Sequence, residues 1–496
     1  MKERPITITS HSDHNLRLSP LRSLLALALA GIAIPFFSAA AEEPSIGFLF
    51  DHFPLTLEDG CRTEAAGPFF YTQQTESEKL WAIPPLFSCD RDPSVESHED
   101  DFLYPLLTHI RYGQEDRWQL FQLISTSFGR EPDETDTKRF TLFPFYFQQR
   151  SADTNLNYTA VFPFYGRLKN RLFHDEMYFI LFPVFGETRK RDIVTDNYFY
   201  PLVHVRHGDG LAGWQVWPLA GREHKDVTTP TNGFGDSTVI TGHDQSFYLW
   251  PFYLAQNNGI GTGNPEKFRA SIPLFAITRS PQRDSTSVIW PIFAVIDDRA
   301  KKYHEWQGPW PFVIFTRGEG KHTSRVFPLF SRSHNGAMES DSYLWPLYTF
   351  RRTQAAPLDQ QRTRVLIYLY SRLTEKNTET GAERTRLDMW PFFTWHREFN
   401  GNERLQILAP LEPAVPGNRG IERNWSPLWS LWRAENNRKT GAHSQSFLWN
   451  LYRRDTAPEH KKVSLLFGLF QYQSGKETER TRLFYVTVFQ TRPSKK

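Results

Sequence analysis

The sequence predicts an all-β protein, built as a tandem repeat of about twenty antiparallel strands that follow one another as a meander. Three observations lead to this fold class. A short core of aliphatic, aromatic, proline, apolar and aromatic residues recurs along the chain. Leu, Val, Ile, Phe, Tyr and Trp are concentrated in runs whose length and composition are typical of strands. No window keeps a 3.6-residue apolar period over the length of a helix.

The repeated core is clearest when the prolines are aligned. Its copies include Leu142–Tyr146, Val161–Tyr165, Leu181–Phe185, Leu249–Tyr253, Ile289–Phe293, Val326–Phe330, Leu344–Tyr348 and Met389–Phe393. Successive centres lie mostly 17 to 23 residues apart, with one gap of 33 residues between Pro218 and Pro251. Turn-forming and charged residues separate the cores, and strands joined by such short connections pair antiparallel. A parallel solenoid is the alternative, but it would stack the arginines that follow many cores on one another.

Each core places apolar side chains on both faces of its strand, because successive side chains point to opposite faces. This pattern favours packed sheets or a propeller-like array, in which strand centres are buried on both sides. A closed outer-membrane β-barrel is the alternative fold, although such a barrel keeps a polar lumen. The proline at the centre of each core cannot donate a hydrogen bond to a ladder, so we expect a bend or bulge there.

The first 41 residues are predicted to be a signal peptide. A basic leader precedes the apolar run Leu24–Phe37, and the small residues 38–41 follow where a signal peptidase cuts. We therefore expect export to a bacterial cell envelope, in either the periplasm or the outer membrane. No later stretch approaches the length of apolar sequence that a membrane-spanning helix needs, so no transmembrane helix is predicted.

The rest of the chain is predicted to have three parts. Residues 42–100 form an atypical N-terminal cap that contains both cysteines, residues 101–492 form the tandem β-repeat region, and residues 493–496 form a charged tail. The wide gap between repeats predicts a long loop at 221–245, rich in Thr, Gly and Asp. Long loops in compact domains are often functional, and a disordered insertion is the alternative interpretation.

The two cysteines are the one candidate covalent link. Cys61 and Cys89 lie 28 positions apart in the predicted exported part of the chain. In an oxidising compartment such a pair more often forms a disulfide than a metal site, so a Cys61–Cys89 disulfide is predicted. Two free buried thiols are the alternative.

Composition and motifs exclude several classes of function. Without residues 1–41 the chain has 54 basic and 53 acidic residues, and a net charge of +1 does not fit a nucleic-acid partner. Motif searches find no residues typical of a catalytic, cofactor-binding or metal site, so the protein is predicted not to be an enzyme. Gly259–Gly263 is interpreted as a flexible turn, and His204 with His207 as a surface pair.

These observations predict an exported, non-catalytic protein of the cell envelope with a binding or scaffolding role. Envelope glycans, lipids or other envelope proteins are the expected partner classes, given the aromatic content of 15%. Contact with a membrane is expected to be peripheral or through a β-barrel. The alternative function is an outer-membrane β-barrel for passage or export.

Overall fold

The protein is represented by a computed structural model that describes residues 46–121, 123–130, 136–229, 237–476 and 478–491. The predicted signal peptide and the predicted charged tail lie outside the described residues. Within them the chain forms 43 β-strands, two short α-helices and four single-turn 3₁₀ helices. No helix in these ranges is long and apolar enough to cross a membrane. The predicted all-β, antiparallel meander is confirmed.

The first half of the chain runs from β1 to β21. Strands β1 to β11 are Asp51–Pro54, Gly60–Ala65, Phe70–Thr75, Lys79–Ile83, Phe87–Asp92, Ser97–Phe102, Leu107–Tyr112, Glu115–Leu120, Ile124–Arg130, Asp136–Leu142 and Tyr146–Ser151. Strands β12 to β21 are Tyr158–Val161, Tyr165–Arg171, His174–Ile180, Phe185–Lys190, Ile193–Tyr198, Val203–Gly208, Leu211–Val216, Ala220–Lys225, Gly242–Tyr248 and Tyr253–Ile260.

The second half holds β22 to β43 and both α-helices. Strands β22 to β32 are Glu266–Ser271, Phe275–Arg279, Arg283–Val288, Phe293–Asp298, Tyr303–Gln307, Val313–Gly318, His322–Val326, Phe330–Asn335, Met338–Tyr343, Tyr348–Ala355 and Leu358–Val365. Strands β33 to β43 are Tyr370–Asn377, Glu383–Met389, Phe393–Arg397, Glu403–Ile407, Trp432–Asn437, Ala442–Phe447, Tyr452–Ala457, His460–Leu465, Phe470–Gly475, Glu479–Leu483 and Val486–Thr491. The helices α1 (Arg419–Asn424) and α2 (Ser426–Trp429) lie between β36 and β37.

All 43 strands belong to one sheet, in which each strand pairs antiparallel with the next strand of the sequence. Across the described ranges β1 pairs only with β2, and β43 only with β42. The sheet is therefore open, and the closed barrel kept as an alternative fold is not formed. There are 43 strands rather than about twenty because each repeat contains two.

The aromatic-proline core forms the turn between two strands, which corrects the prediction that its proline lies at a strand centre. Between β10 and β11 the Phe145 N–H donates to the Leu142 carbonyl at 2.7 Å, which closes a four-residue turn with Pro144 in third position. The peptide bond before Pro144 is cis, as in a type VI turn. A proline in this position withholds no donor from the ladder, which explains why it is tolerated in repeat after repeat.

These turns all lie at one rim of the sheet, because each joins an even-numbered strand to the next odd-numbered one. We call the short turns among them the aromatic rim, and they contain no charged residue. The long connection 408–431 between β36 and β37 lies at the same edge and is the charged exception, with Glu412, Arg419, Glu422 and Arg423. The aromatic rim consists of residues 67–69, 84–86, 103–106, 143–145, 162–164, 181–184, 199–202, 217–219, 249–252, 272–274, 289–292, 308–312, 327–329, 344–347, 366–369, 390–392, 448–451, 466–469 and 484–485.

The opposite rim, here called the polar rim, has turns of a different composition. They are rich in Gly, Asn and charged residues, as in 209–210, 299–302, 319–321, 398–402 and 438–441. The turns 172–173 and 356–357 of this rim are apolar. The predicted long loop also lies at this rim, but residues 221–225 and 242–245 belong to β19 and β20, so the connection is 226–241. Its residues 230–236 lie outside the described part of the chain.

The two ends of the sheet lie face to face, in a contact region that we call the seam. It joins β1–β6 to β34–β40 and the two helices. Three hydrogen bonds across it run from Thr56 Oγ1 to Ser444 Oγ (2.6 Å), from Tyr71 Oη to the Arg423 carbonyl (2.8 Å) and from Asn450 Nδ2 to Glu64 Oε2 (2.9 Å). The burial of each apolar core on both faces, which the sequence predicted, is not found, because the cores form exposed turns of a single sheet and the seam joins only its two ends.

Close packing of small residues is expected to make Gly166 sensitive to substitution. Gly166 on β13 is directly opposite Ala160 on β12, and a Cβ atom at Gly166 would lie 2.2 Å from the Ala160 Cβ. We expect Gly166→Ala to lower local stability by about 1–3 kcal/mol, because one backbone must move. Hydrogen exchange of the β12 and β13 amides measures this loss.

Gly186 provides the matched control, since it occupies the same place three residues after a rim proline. A Cβ atom there would meet nothing closer than 3.8 Å, so Gly186→Ala should leave exchange of β15 unchanged. Equal effects of the two substitutions would contradict the packing argument.

Candidate functional site

The aromatic rim is held together by hydrogen bonds between successive turns. The residue before each of several prolines donates its N–H to the proline carbonyl of the preceding turn. Such bonds run from Phe182 to Pro163 (2.7 Å), from Tyr200 to Pro183 (2.7 Å), from Trp250 to Pro218 (2.6 Å) and from Trp345 to Pro328 (2.8 Å). The ladder of the sheet therefore continues into its turns, which fixes their spacing.

Aromatic side chains of the rim also contact one another from turn to turn. The ring centroids of Phe162 and Phe182 lie 5.4 Å apart, and those of Phe182 and Tyr200 lie 5.6 Å apart. Trp217 and Trp250 repeat the contact at 5.6 Å. All three pairs are tilted, within the range of separations that aromatic pairs prefer. These contacts give the rim a row of interacting rings.

The residue after most rim prolines forms the tip of the turn and is exposed. Phe145 is 57% exposed, and Phe164 and Phe252 are each 60% exposed. Leu, Val and Ile occupy the same position in other turns, as at Leu274 and Ile292. A row of exposed apolar side chains of this extent is typical of an interaction surface.

The rim of the first strands meets the rim of the last strands at the seam. Phe69 contacts Trp449 with ring centroids 5.4 Å apart, and Phe48, just before β1, contacts Phe467 at 5.1 Å. Trp425 Nε1 donates to the carbonyl of Tyr104 at 2.9 Å. The seam therefore brings the two ends of the aromatic rim together.

A cluster of buried charges lies inside the seam around Arg423 of α1. Its guanidinium is 2.6 Å from Asp90, 2.7 Å from Glu99 and 3.0 Å from Asp101. Burial acts against the charge of Arg423, but Glu99 and Asp101 outweigh burial and raise its pKa above the usual value. Burial also raises the pKa of Asp101, although Arg423 opposes that shift.

A second buried group surrounds Glu435 of β37. Its carboxylate accepts hydrogen bonds from Arg433 Nε at 2.9 Å and from Arg404 Nε at 3.1 Å. Burial alone would raise the pKa of Glu435, but the charges of Arg433 and Arg404 outweigh it and lower this pKa to about 2. Nearby, burial and, to a smaller extent, the charges of Arg404 and Arg386 together lower the pKa of His396 to about 3, so the imidazole is neutral near pH 7.

The seam encloses a polar cleft of about 240 Å³ between these groups. Its arginines are paired with carboxylates of the chain, as in Arg62 with Glu64 at 2.8 Å and Arg386 with Asp388 at 2.9 Å. A cleft whose positive charges are already neutralised offers little to an anionic ligand. We therefore interpret the seam as the contact that joins the two ends of the sheet.

A group of cysteine, histidine and aspartate side chains lies on β5, β6 and β7. Cys89 Sγ is 3.9 Å from His98 Nε2, and that nitrogen is 2.8 Å from Asp100 Oδ2. His109 Nδ1 is 3.0 Å from the same oxygen. Cys89, Asp100 and His109 share one face because the register places them opposite one another. We call these four residues the Cys-His cluster.

The Cys-His cluster does not have the geometry of a nucleophilic relay. Such a relay needs the thiol at one histidine nitrogen and the carboxylate at the other, whereas both lie at His98 Nε2. Burial raises the pKa of Cys89 to about 11, with a further contribution from Asp100, and a nucleophile needs the opposite shift. The cluster therefore provides ligand atoms rather than an activated thiol.

Cys89 and Cys61, the pair predicted to form a disulfide, are not bonded to each other in the structure. Cys61 lies on β2 and Cys89 on β5, with β3 and β4 between them. At about 4.8 Å per strand their backbones are separated by roughly 14 Å, and a disulfide needs Cα atoms within about 7 Å. The bond is not formed because two paired strands separate its ends.

The other residues noted in the sequence do not come together as a site. His204 and His207 are three residues apart on β17, and therefore face opposite sides of the sheet. Gly259 and Ile260 end β21, so the turn predicted at Gly259–Gly263 begins only at Gly261. The sequence interpretation overlooked His98 and His109, whose signal is the recurrence of ligand-type residues about ten positions apart across successive hairpins.

Comparison with known proteins gives no independent indication of function. No protein-family model matches the chain, and no curated protein matches it.

Proposed function

We propose that this protein is a non-catalytic scaffold of the bacterial cell envelope that lies on a lipid surface through its aromatic rim. The observation that carries the proposal is that every turn of the aromatic rim is free of charge and ends in apolar side chains. The polar rim, about 20 Å away at the usual rise per residue, carries most of the charged turns. This division matches the boundary between lipid and water.

The uniform chemistry of the rim favours a lipid surface over a protein or glycan partner. Forty-three strands at about 4.8 Å spacing give the sheet a contour on the order of 200 Å, over which the same apolar turn recurs. A glycan site needs polar side chains beside its aromatic rings, and the rim tips are Phe, Leu, Val and Ile. Trp and Tyr one residue before the prolines are the residue types enriched at membrane interfaces.

The rest of the molecule suits a scaffolding role. The two faces of the sheet carry paired charges, such as Arg352 with Asp359 at 2.7 Å and Arg206 with Glu223 at 2.6 Å. With the aromatic rim against lipid, these faces and the polar rim remain in water and available to other envelope components. The signal peptide predicted at residues 1–41 is consistent with delivery to that compartment.

Charges placed at the rim tips are expected to abolish lipid binding. In the triple variant Phe145→Asp, Phe164→Asp and Phe252→Asp, we expect affinity for phosphatidylethanolamine–phosphatidylglycerol vesicles to fall at least about 100-fold. Each ring that is no longer partly buried in lipid removes about 1 kcal/mol or more of binding free energy. About 1.4 kcal/mol of binding free energy corresponds to a tenfold change in affinity. Co-sedimentation of the purified protein with vesicles measures the affinity.

The matched control places the same three charges on the polar rim. Ala300, Ala337 and Thr380 are exposed residues of polar-rim turns, and their replacement by Asp should leave vesicle binding unchanged. The proposal fails if the unsubstituted protein does not sediment with vesicles, or if both triple variants bind equally.

A further inference from the structure

We propose that the Cys-His cluster is a zinc-binding site, with Cys89, His98 and Asp100 as ligands and His109 as the fourth. The ligand atoms of Cys89, His98 and Asp100 all lie within 4.8 Å of one another. His109 adds its Nδ1 at 3.0 Å from Asp100 Oδ2. Separations of this size bring three donors around one point, and a side-chain movement of His109 would complete the set of four.

The register of the sheet preorganises this site. Cys89 on β5 is opposite Asp100 on β6, which is opposite His109 on β7, so three neighbouring strands each give one ligand. His98 precedes Asp100 by two residues on the same strand and so faces the same side. A site built on paired strands holds its donors more precisely than one built on loops.

Neighbouring side chains orient His109 as the outer groups of metal sites do. Asp116 Oδ2 lies 3.1 Å from His109 Nε2, so it holds the proton on that nitrogen and directs Nδ1 toward the cluster. Trp118 stacks on the imidazole with ring centroids 4.2 Å apart, which fixes the plane of the ring. A surface histidine requires neither contact. Together, the carboxylate and the stacked ring fix the orientation of the His109 imidazole, as a metal ligand requires.

The donor set identifies the class of metal. One thiolate, two imidazoles and one carboxylate are typical ligands of Zn²⁺, whereas Mg²⁺ and Ca²⁺ prefer oxygen ligands alone. Cys89 is buried while His98 and Asp100 are partly exposed, so the ion can enter from solvent on the histidine side. Because zinc binds the thiolate, uptake displaces the thiol proton to solvent.

The cluster lies on the face of the sheet that points away from the seam. Asp90 and Asp101, the neighbours of Cys89 and Asp100 in sequence, point into the seam and bind Arg423. Zinc would therefore clamp β5, β6 and β7 from the outer face without entering the seam. The proposal is independent of lipid binding by the aromatic rim.

Titration of the chelator-treated, reduced protein with Co²⁺ and then Zn²⁺ tests the site. We expect one equivalent of Co²⁺ to give a thiolate-to-cobalt charge-transfer band that Zn²⁺ abolishes. Cys89→Ser should remove the band and weaken Zn²⁺ binding at least about 100-fold, while Cys61→Ser should retain both. Far-UV circular dichroism of each variant verifies that the sheet is intact.

A second variant keeps the test decisive if Cys89→Ser does not fold. Asp116→Asn leaves all four ligands in place and is expected to weaken Zn²⁺ binding roughly 10–100-fold while keeping the charge-transfer band. Absence of metal uptake by the unsubstituted protein would overturn the proposal, as would a band that survives in Cys89→Ser. Unchanged Zn²⁺ affinity in Asp116→Asn would overturn the proposal that His109 is the fourth ligand.

Discussion

Replacing Arg423 with methionine is expected to open the seam. Arg423 is only 6% exposed and binds Asp90, Glu99 and Asp101 within 3.0 Å. Methionine fills a similar volume but leaves these carboxylates without their cation, and loss of one partner of a buried ion pair costs about 3–5 kcal/mol. Amide protection in β5, β6 and α1 should therefore fall at least about 100-fold, as measured by hydrogen exchange.

Arg419 is the matched control for this substitution, because it lies on the same helix. Its side chain is 78% exposed and its nearest carboxylate, on Glu78, is 3.9 Å away. Exposed pairs contribute little, so Arg419→Met should change protection by less than about threefold. Similar exchange in the two variants would show that the buried charges do not hold the seam. Strands far from the seam, such as β20 and β21, should keep their protection in both, since repeat arrays unfold locally.

Acid is expected to weaken the seam through Glu435. The pKa of Glu435 is about 2, below its usual 4.5, so its contribution to stability is complete above pH 4.5 and is lost as pH falls through about 2. The difference between these two pKa values corresponds to a contribution of about 3 kcal/mol to the free energy of unfolding. Glu435→Gln should lose this contribution already at pH 7 and show a correspondingly smaller fall in β36–β38 stability between pH 4.5 and 2.

Glu319 provides the comparison for the acid prediction. It is 79% exposed and pairs with Lys302 at the polar rim, so Glu319→Gln should reproduce the pH dependence of the unsubstituted protein. Hydrogen exchange at each pH, corrected for the intrinsic exchange rate, gives the local stability. An unchanged acid profile in Glu435→Gln would mean that Arg433 and Arg404 do not depend on this carboxylate.

Seam and aromatic rim are connected in the proposed function. Phe69 contacts Trp449 and Phe48 contacts Phe467, so rim residues near the end of the chain meet the first turns of the structure. A variant that opens the seam is therefore expected to separate the ends of the rim while leaving its middle turns intact. Vesicle binding by Arg423→Met should weaken less than binding by the triple rim variant.

The number of strands was underestimated for a physical reason. In cores such as Leu142–Tyr146, the strand end, the turn and the next strand are all apolar. Chain reversal is usually signalled by polar or glycine-rich residues, and here that signal is concentrated at the polar rim. Because the turn contributes apolar residues, two short strands and a turn resemble the centre of one longer strand.

The Cys-His cluster shows how much of a candidate site can be predicted from the sequence alone. Cys89 was singled out from composition, but its expected partner was Cys61. The register of β5, β6 and β7 instead places Asp100 and His109 beside it. A shift of one residue in either pairing would move its partner to the other face, so the cluster depends on a register that the sequence pattern does not specify.

The sequence by itself determined the all-β class, the antiparallel meander and its repeat length. These follow from apolar periodicity and short connections, which act between residues close in the chain. Only the tertiary structure decided which repeats meet: Arg423 and Asp90 are 333 positions apart, and Thr56 and Ser444 are 388 apart. Repeats with nearly the same local pattern do not encode their distant partners. The twist and curvature added by each of the 43 strands decide where the two ends come together.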